Sequence, residues 1–205
     1  MAPLKILPPK NPKLFFQGNK QAKEKIEELL KKNNLDNKKI ICFHVGAYWR
    51  NISKRWPLEK FAQLGDKLNE EYPEFKIILL GNWDEKKSAE KVKTLMKDKP
   101  LLAMDLTLKE TFELMKKSSL FVGNDSGLMH LAAAADIPTI GFFRYFVYFD
   151  HYPYNKKSIA ITKKPLKLNQ KDMQKKEFKW NEKYDEECFK KITVAEVLAA
   201  TKKLL

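Results

Sequence analysis

The chain has 205 residues, of which 43% are hydrophobic, enough for one well-packed domain or two small ones and too many for a disordered protein. No apolar run approaches the roughly 18 residues that a transmembrane helix needs, and the proline-broken start is not expected to be a signal peptide. The two cysteines, Cys42 and Cys188, cannot by themselves form a disulfide framework or a four-ligand zinc site. These features predict a soluble protein of a reducing compartment, the cytoplasm.

The formal net charge of +14 is unevenly distributed along the chain. Residues 1–39 carry 10 basic and 4 acidic side chains, residues 40–143 carry 15 and 14, and residues 144–205 carry 15 and 8. Nucleic-acid-binding proteins usually concentrate their basic residues on one reading element, with exposed aromatic residues between them. Here the lysines are scattered, so we expect no nucleic-acid partner, whereas a loose contact between the basic flanks and an anionic membrane face stays open.

Residues 1–19 are rich in proline and lysine and are predicted to be a linker, and residues 20–33 follow with helical spacing. Short apolar runs then alternate with longer polar stretches of helical spacing. The runs cover residues 40–45, 77–80, 101–104, 120–122 and 139–143. Apolar runs separated by helices are typical of a parallel sheet built from strand–helix–strand units. The sequence therefore predicts an α/β fold, a Rossmann-like parallel sheet with flanking helices.

Helix starts are marked by residues of known positional preference. Pro57 suits a first helical turn, while Thr107 and Thr193, each followed three residues later by a glutamate, predict capping boxes. Residues 127–135 predict a helix of small side chains, and residues 144–191 show no clear periodicity. The predicted organisation is a basic linker and helix over residues 1–39, a Rossmann-like core over 40–143, and a basic, aromatic and lysine-rich tail over 144–205 whose last helix packs back on the core.

The first candidate site is the segment FVGNDSGLMHLAAAA at residues 121–135, where a predicted strand turns directly into a helix. Ligands of open parallel sheets bind beyond the carboxyl ends of the strands, and a helix N-terminus favours phosphate. Ser126 and Gly127 are therefore candidates for phosphate contact, and His130 for a proton or a hydrogen bond. The alternative is that Asp125 or Ser126 only caps the helix and that His130 is an ordinary interior histidine.

The second candidate site is the segment HVGAYWRNISKRWP at residues 44–57, which also follows a strand and precedes a helix. It is expected at the same edge of the sheet. Ser53, Lys54 and Arg55 offer a hydroxyl and two cations to an anion. Two cations on one loop are otherwise common in a lysine-rich protein.

A third segment, GNWDE at residues 81–85, follows the second predicted strand. Its acids, Asp84 and Glu85, are candidates for a ribose hydroxyl, as acids after Rossmann strands are. Asp84 can equally cap the helix that follows. The sequence has no HExxH or CxxC metal motif, no GxxxxGK[ST] phosphate loop and no GxSxG nucleophile elbow.

In combination, these segments resemble the ADP-heptose:lipopolysaccharide heptosyltransferase family, glycosyltransferase family 9. The resemblance rests on Lys-Arg-Trp-Pro at residues 54–57 followed by Phe-Ala, on Ile-Leu-Leu-Gly at 78–81, and on the long string at 121–134. Residues 192–197, ITVAEV, are similar to the helix that closes those proteins. The resemblance runs from about residue 40 to 143 and resumes near residue 188.

The resemblance implies a GT-B architecture, in which the C-terminal Rossmann-like half holds the nucleotide-sugar donor. Ser53 and Lys54 would meet the donor diphosphate. Residues 125–127 would lie by the diphosphate and the sugar, with His130 close behind, and Glu85 or Asp84 would approach the nucleoside. No metal or other cofactor is expected, because GT-B enzymes generally offset the leaving diphosphate charge with a helix dipole and cations. With Arg55, which the second segment offers as a cation, the candidate donor-binding residues are Ser53, Lys54, Arg55, Glu85, Asp125, Ser126, Gly127 and His130.

Two features depart from the family pattern. Residues 1–39 are too few for the N-terminal half that binds the acceptor and supplies the catalytic base, so the catalytic residues are unknown. After residue 143 the family's Gly-Pro-Thr turn is replaced by Arg-Tyr-Phe. We therefore expect the donor half of an enzyme for inverting transfer of a heptose, or a related sugar, from an ADP-sugar to a lipopolysaccharide core acceptor. It would be a fragment or would work with a separately encoded acceptor domain. The alternative is a nucleotide- or anion-binding module without chemistry of its own.

Overall fold

The strands of the computed structural model form one parallel sheet. The structure describes residues 14–47, 52–145, 151–165 and 182–205. Within these residues the strands are β1 (Lys39–His44), β2 (Phe75–Gly81), β3 (Leu101–Met104), β4 (Leu120–Asn124), β5 (Thr139–Phe143) and β6 (Ser158–Thr162). Their order in the sheet is β3-β2-β1-β4-β5-β6, and every neighbouring pair is parallel. The predicted α/β fold class is confirmed.

Helices cover both faces of this sheet. They are α1 (Lys20–Lys32), α2 (Leu58–Glu71), α3 (Lys86–Leu95), α4 (Leu108–Lys116), α5 (Gly127–Ala134), α6 (Glu182–Lys191) and α7 (Val194–Leu204), with single 3₁₀ turns at Ile52–Lys54 and Trp83–Glu85. Alternate strand residues point to opposite faces, so Ile41 and Phe43 pack with α2, α3 and α7, whereas Ile40 and Cys42 pack with α1, α4 and α5. Burial on both faces explains the continuous apolar runs in the sequence.

The helix starts follow the predicted chemistry. The Thr107 hydroxyl accepts a hydrogen bond from the amide of Glu110, whose carboxylate accepts one from the amide of Thr107, and Thr193 and Glu196 make the same reciprocal pair. Both predicted capping boxes are confirmed. Pro57 stands immediately before α2.

The sheet and its helices extend beyond the region predicted as the core. β6 adds an edge strand beside β5, α1 packs on α4, and α7 packs on α2. The predicted linker lies outside the described residues up to residue 13, as do residues 146–150 and 166–181 of the predicted tail. No helix in the described part of the chain has the length and apolar content needed to cross a bilayer.

Hydrogen bonds join the link between α6 and α7 to Trp56, just before α2, and to Lys60 in α2. The indole N–H of Trp56, a fully buried side chain, donates to the carbonyl of Ile192 at 3.0 Å, and the Lys60 ammonium donates to the same carbonyl at 2.8 Å. The carbonyl of Ile192, just after the end of α6, thereby has two side-chain donors. The Trp56 ring also packs edge-on against Phe61 and at a tilt against Phe142, with ring centroids 4.9 and 4.7 Å away.

Candidate functional site

An open cavity of about 420 Å³ lies at the carboxyl ends of β1, β2 and β4. Strand ends and the turns after them supply its polar wall, and the start of α4 and the residues before it supply an apolar wall. Parallel order creates this arrangement, because β1 lies between β2 and β4 and all three strands end at one edge. The lining residues are His44, Ala47, Gly81, Asn82, Asp84, Glu85, Leu106, Leu108, Thr111, Asp125, Ser126, Gly127 and Leu128.

Glu85 is held in the cavity wall by a capping box. The Asn82 side chain accepts a hydrogen bond from the amide of Glu85 at 3.2 Å, and the Glu85 carboxylate accepts one from the amide of Asn82 at 3.0 Å. Asn82 thus caps the 3₁₀ turn Trp83–Glu85, whereas α3 begins after Glu85 without a cap hydrogen bond from that side chain, so the alternative in which Asp84 caps this helix finds no support. Glu85 is buried, whereas Asp84 is exposed.

The Glu85 carboxylate contacts His44, the last residue of β1. His44 Nε2 lies 3.1 and 3.2 Å from the two carboxylate oxygens, and His44 Nδ1 lies 3.1 Å from the Ser126 hydroxyl. Because an ionised carboxylate only accepts hydrogen bonds, Nε2 carries the hydrogen and donates a hydrogen bond to the carboxylate. His44 thus joins the ends of three strands through one imidazole, and only 3% of its surface is exposed.

Gly46 makes room for this contact. A Cβ at residue 46 would lie 1.7 Å from Glu85 Oε1 and 2.1 Å from Glu85 Cδ. A Cβ at residue 81 would lie 2.8 Å from Glu85 Oε2, so two glycines border Glu85. At Gly127, by contrast, an added Cβ would meet nothing within 4 Å.

The ionisation of Glu85 reflects two opposing effects. Burial works to raise the pKa of Glu85, but the hydrogen bond and charge of His44, the Asn82 amide and the charge of Arg55 outweigh it and hold the pKa below its usual value. A buried carboxylate therefore stays charged at neutral pH, with hydrogen-bond acceptors at the cavity wall.

Ser126 occupies the N-cap position of α5, but its side chain makes no cap hydrogen bond. Its hydroxyl is directed to His44 instead, which leaves the first amides of the helix without a side-chain acceptor from the cap residue. Gly127 begins the helix and is exposed at the cavity. The alternative in which Ser126 serves only as a cap is therefore not what the geometry shows.

Asp125 lies next to these amides and contacts a histidine from a different segment. Its Oδ2 is 3.3 Å from His151 Nδ1, and its backbone amide donates to the carbonyl of Phe142 on β5 at 3.0 Å. His130 is half-buried close by. Burial lowers the pKa of His130 and the charge of His151 lowers it further, while the charge of Asp125 raises it.

Ser53, Lys54 and Arg55 of the second predicted segment do not line the cavity. Burial lowers the pKa of the Lys54 ammonium, and so does the positive charge of Arg144, whereas the negative charges of Asp185 and Asp125 raise it. Arg55 donates to the carbonyl of Ala47 at 3.1 Å. Among the described residues, Ser53 Oγ and Arg55 Nε are buried polar atoms without a hydrogen-bond partner.

Asn124, the last residue of β4, makes hydrogen bonds to both ends of the second segment. Its Nδ2 donates to the carbonyls of Val45 and Gly46 at 3.2 and 2.8 Å, and its Oδ1 accepts from the amide of Trp56 at 2.9 Å. These bonds fix both ends of the chain that leaves β1 and returns to α2. Asn124 is fully buried, so the bonds are shielded from water.

Of the predicted donor-binding residues, the cavity brings together Glu85, Asp125, Ser126 and Gly127. Lys54 and His130 lie near enough to sense the charge of Asp125, and Arg55 that of Glu85. Their roles in binding stay predictions.

The sequence interpretation missed His44, Asn82 and Asn124. Each is a polar residue that ends a strand or directly follows one, and this position was the available signal.

The described ranges contain no group of three or more His, Cys, Asp or Glu side chains that could hold a metal ion.

Comparison with known proteins places this chain in a family. The sequence model of glycosyltransferase family 9 (heptosyltransferase) matches residues 12–181. Lipopolysaccharide heptosyltransferase 1 of Campylobacter coli is 38% identical over 126 residues, which are 58% of this chain and 36% of that protein.

Solved structures show the same fold. A glycosyl transferase family 9 protein from Veillonella parvula matches with a TM-score of 0.76 and 22% identity, over 93% of this chain and 53% of that one. The E. coli heptosyltransferase WaaC with ADP matches with a TM-score of 0.63 and 18% identity, over 83% of this chain and 45% of that one. The chain thus spans little more than a third of the curated relative and about half of the solved structures. Because the family match covers well over half of its residues, the chain belongs to glycosyltransferase family 9, the heptosyltransferase family.

Proposed function

We propose that this chain is the donor-binding half of a heptosyltransferase-type glycosyltransferase, with ADP-heptose or a related ADP-sugar as its ligand. The observation that carries the proposal is the cavity that joins Glu85, Asp125, Ser126 and Gly127 at the carboxyl ends of β1, β2 and β4. Its volume of about 420 Å³ lies within the range of small-molecule sites. The reaction would be inverting transfer of the sugar to a lipopolysaccharide core acceptor.

The two ends of the cavity suit the two ends of a nucleoside diphosphate. The charged Glu85 carboxylate is an acceptor for ribose hydroxyls, and the amides at the start of α5 favour phosphate. Ser53, Lys54 and Arg55 would add a hydroxyl and two cations, and His130 a further hydrogen-bonding group. The relative from Campylobacter coli is a lipopolysaccharide heptosyltransferase, and the E. coli structure contains ADP, which support this ligand class.

The chemical contribution of this half is stabilisation of the leaving group. When the bond between the sugar C1 and the diphosphate oxygen breaks, negative charge develops on the ADP, and the helix dipole of α5 and Lys54 would offset it. The acceptor hydroxyl would attack C1 from the opposite face and lose its proton to a base. We propose that this base and the acceptor site belong to an N-terminal acceptor domain, encoded separately or in a longer chain, and that no metal or cofactor takes part.

Binding calorimetry tests the donor site directly. We expect ADP to bind more tightly than UDP, and ADP-heptose more tightly than ADP, because a transferase site also contacts the sugar. Glu85→Gln is expected to weaken ADP binding about tenfold, the value of one charge-assisted hydrogen bond, whereas Glu90→Gln at an exposed acid of α3 outside the cavity changes it less than about twofold. Equal affinity for ADP and ADP-heptose would instead favour the non-catalytic nucleotide-binding module, and no nucleotide binding would refute both functions.

A transfer assay tests the remaining parts of the proposal. The chain alone is expected to bind the donor without efficient transfer to a lipopolysaccharide core acceptor, and EDTA is expected to leave donor binding unchanged. Ordinary transfer rates without an added acceptor domain would contradict this assignment of the base. A metal requirement would contradict the proposed metal independence.

The basic flanks favour a cytoplasmic protein that makes loose contact with the anionic inner face of the inner membrane, without a nucleic-acid partner. Binding to vesicles containing anionic lipid should then weaken steeply between low and high salt. Salt-insensitive vesicle binding would argue against this contact. Tight DNA binding that survives substitution of Asp125 would argue for a nucleic-acid function.

A further inference from the structure

Arg144 lies at the same edge of the sheet as the cavity, directly after a strand that does not line it. It directly follows β5, and β5 is the neighbour of β4, which ends just before Asp125. The carbonyl of Phe142, two residues before Arg144, accepts a hydrogen bond from the amide of Asp125 at 3.0 Å. The end of β5 is thus fixed beside the predicted phosphate end of the site.

Arg144 and Lys54 form a pair of nearby cations. Burial lowers the pKa of the Lys54 ammonium, and the positive charge of Arg144 lowers it further, against the raising effect of Asp185 and Asp125. Asp185 lies 3.6 Å from Arg144 Nε, which is longer than a hydrogen bond, and its carboxylate is only 5% exposed. Within the described ranges Arg144 Nε is buried without a hydrogen-bond partner, and Ser53 Oγ, next in sequence to Lys54, is as well.

Two partly buried cations that act on each other repel unless anions balance them, and in the described part of the chain Asp185 and Asp125 are carboxylates whose charge acts on Lys54. The ion pair with Asp185 holds the guanidinium in place without using the hydrogen bond of Nε. A guanidinium fixed in this way offers planar, paired N–H groups that match two oxygens of a phosphate.

We propose that Arg144 is a further donor-binding residue, which together with Lys54 binds the phosphate group distal to the nucleoside in a nucleoside diphosphate. This inference rests on the proposed function, since it assigns a second cation to the leaving diphosphate. Asp185 acts as a positioning residue for Arg144.

Comparing ADP with AMP isolates the distal phosphate, because only ADP has one. With calorimetry on the full chain, Arg144→Ala is expected to weaken ADP binding about tenfold and AMP binding less than about twofold. Arg144→Lys keeps the charge but loses the paired geometry and should weaken ADP binding about threefold. Asp185→Asn removes the ion pair and keeps the guanidinium, so ADP affinity should fall less than in Arg144→Ala.

The controls separate ligand binding from folding. Urea unfolding of each variant checks its stability, and Arg144→Lys provides the test if Arg144→Ala does not fold. Equal ADP affinity in wild type and both Arg144 variants, or an equal loss for AMP and ADP, would overturn the role of Arg144 while leaving the donor-site function standing. If the wild-type chain binds neither nucleotide, the proposed function fails and this inference fails with it.

Discussion

Gly46→Ala should act on stability through a residue 39 positions away in sequence. The new Cβ would lie 1.7 Å from Glu85 Oε1, so the carboxylate has to leave its place and give up the hydrogen bonds from His44 and Asn82. A hydrogen bond to a charged group contributes about 1.5–3 kcal/mol, and His44 Nε2 would be left buried without its acceptor. We expect a loss of about 3 kcal/mol in the free energy of unfolding, or about 6–12 °C in Tm.

A double-mutant cycle distinguishes this mechanism from a general effect of alanine at residue 46. Glu85→Ala removes the carboxylate and should itself cost about 3 kcal/mol. In that background Gly46→Ala no longer displaces anything and should add less than about 1 kcal/mol, which leaves a coupling energy of about 2 kcal/mol. Urea unfolding followed by tryptophan fluorescence measures all four proteins.

Gly127→Ala is the matched control at the same cavity. An added Cβ at that position meets nothing within 4 Å, and alanine is the better helix former, so stability should stay equal or rise by less than about 1 kcal/mol. If Gly46→Ala were as stable as Gly127→Ala, or if its cost were unchanged in the Glu85→Ala background, the argument from the Glu85 contact would be refuted.

Three further predictions concern ionisation, packing and thiol chemistry. The pKa of Glu85 is held below the ordinary 4.5, so the stabilisation from its ionised form is present above that pH and lost as the pH falls through the lower folded value. The difference in unfolding free energy between wild type and Glu85→Gln should thus stay constant from pH 7 to about 5.5 and shrink below about 4.5; shrinkage between pH 7 and 6 would contradict it. Asn124→Ala removes three buried hydrogen bonds and should cost about 3 kcal/mol in urea unfolding, a figure that a loss below about 1 kcal/mol would rule out. Burial raises the pKa of Cys42 to about 12 and of Cys188 to about 11, so neither thiol should react with Ellman's reagent at pH 8 until the chain is unfolded; rapid reaction of the native chain would show that this burial is wrong.

The strands predicted from the sequence are β1 to β5, each of which carries an apolar run, including β3 at one edge of the sheet. β1 and β4 are buried along nearly all of their length, so each appears in the sequence as an unbroken apolar run. β6 is an edge strand whose residues after Ser158 are only partly buried, and its composition carried no comparable signal. The charged α6 was missed for a related reason, since buried Cys188 and Phe189 are too few to mark a helical face.

The candidate site was predictable in its outline because parallel topology converts positions after strands into neighbours in space. Glu85 and Ser126 are 41 residues apart, yet both follow strands adjacent to β1 and reach the same histidine. The histidine itself was not predicted. Its place at the end of an apolar run reads as part of the strand, and only the three-dimensional arrangement shows that a polar group is needed at that point.

The hydrogen bond from the Trp56 indole to Ile192 has a consequence for how the chain folds during synthesis. The two residues are separated by 136 positions, so the acceptor for a fully buried indole emerges from the ribosome long after the strands β1 to β5. Until then the aromatic cluster of Trp56, Phe61 and Phe142 lacks the cover of α6 and α7 and exposes apolar surface. Such long-range closure slows folding and prolongs exposure to aggregation. A nascent chain arrested before residue 192 should therefore bind chaperones that recognise exposed apolar surface, and a chain long enough for α7 to have emerged should no longer bind them.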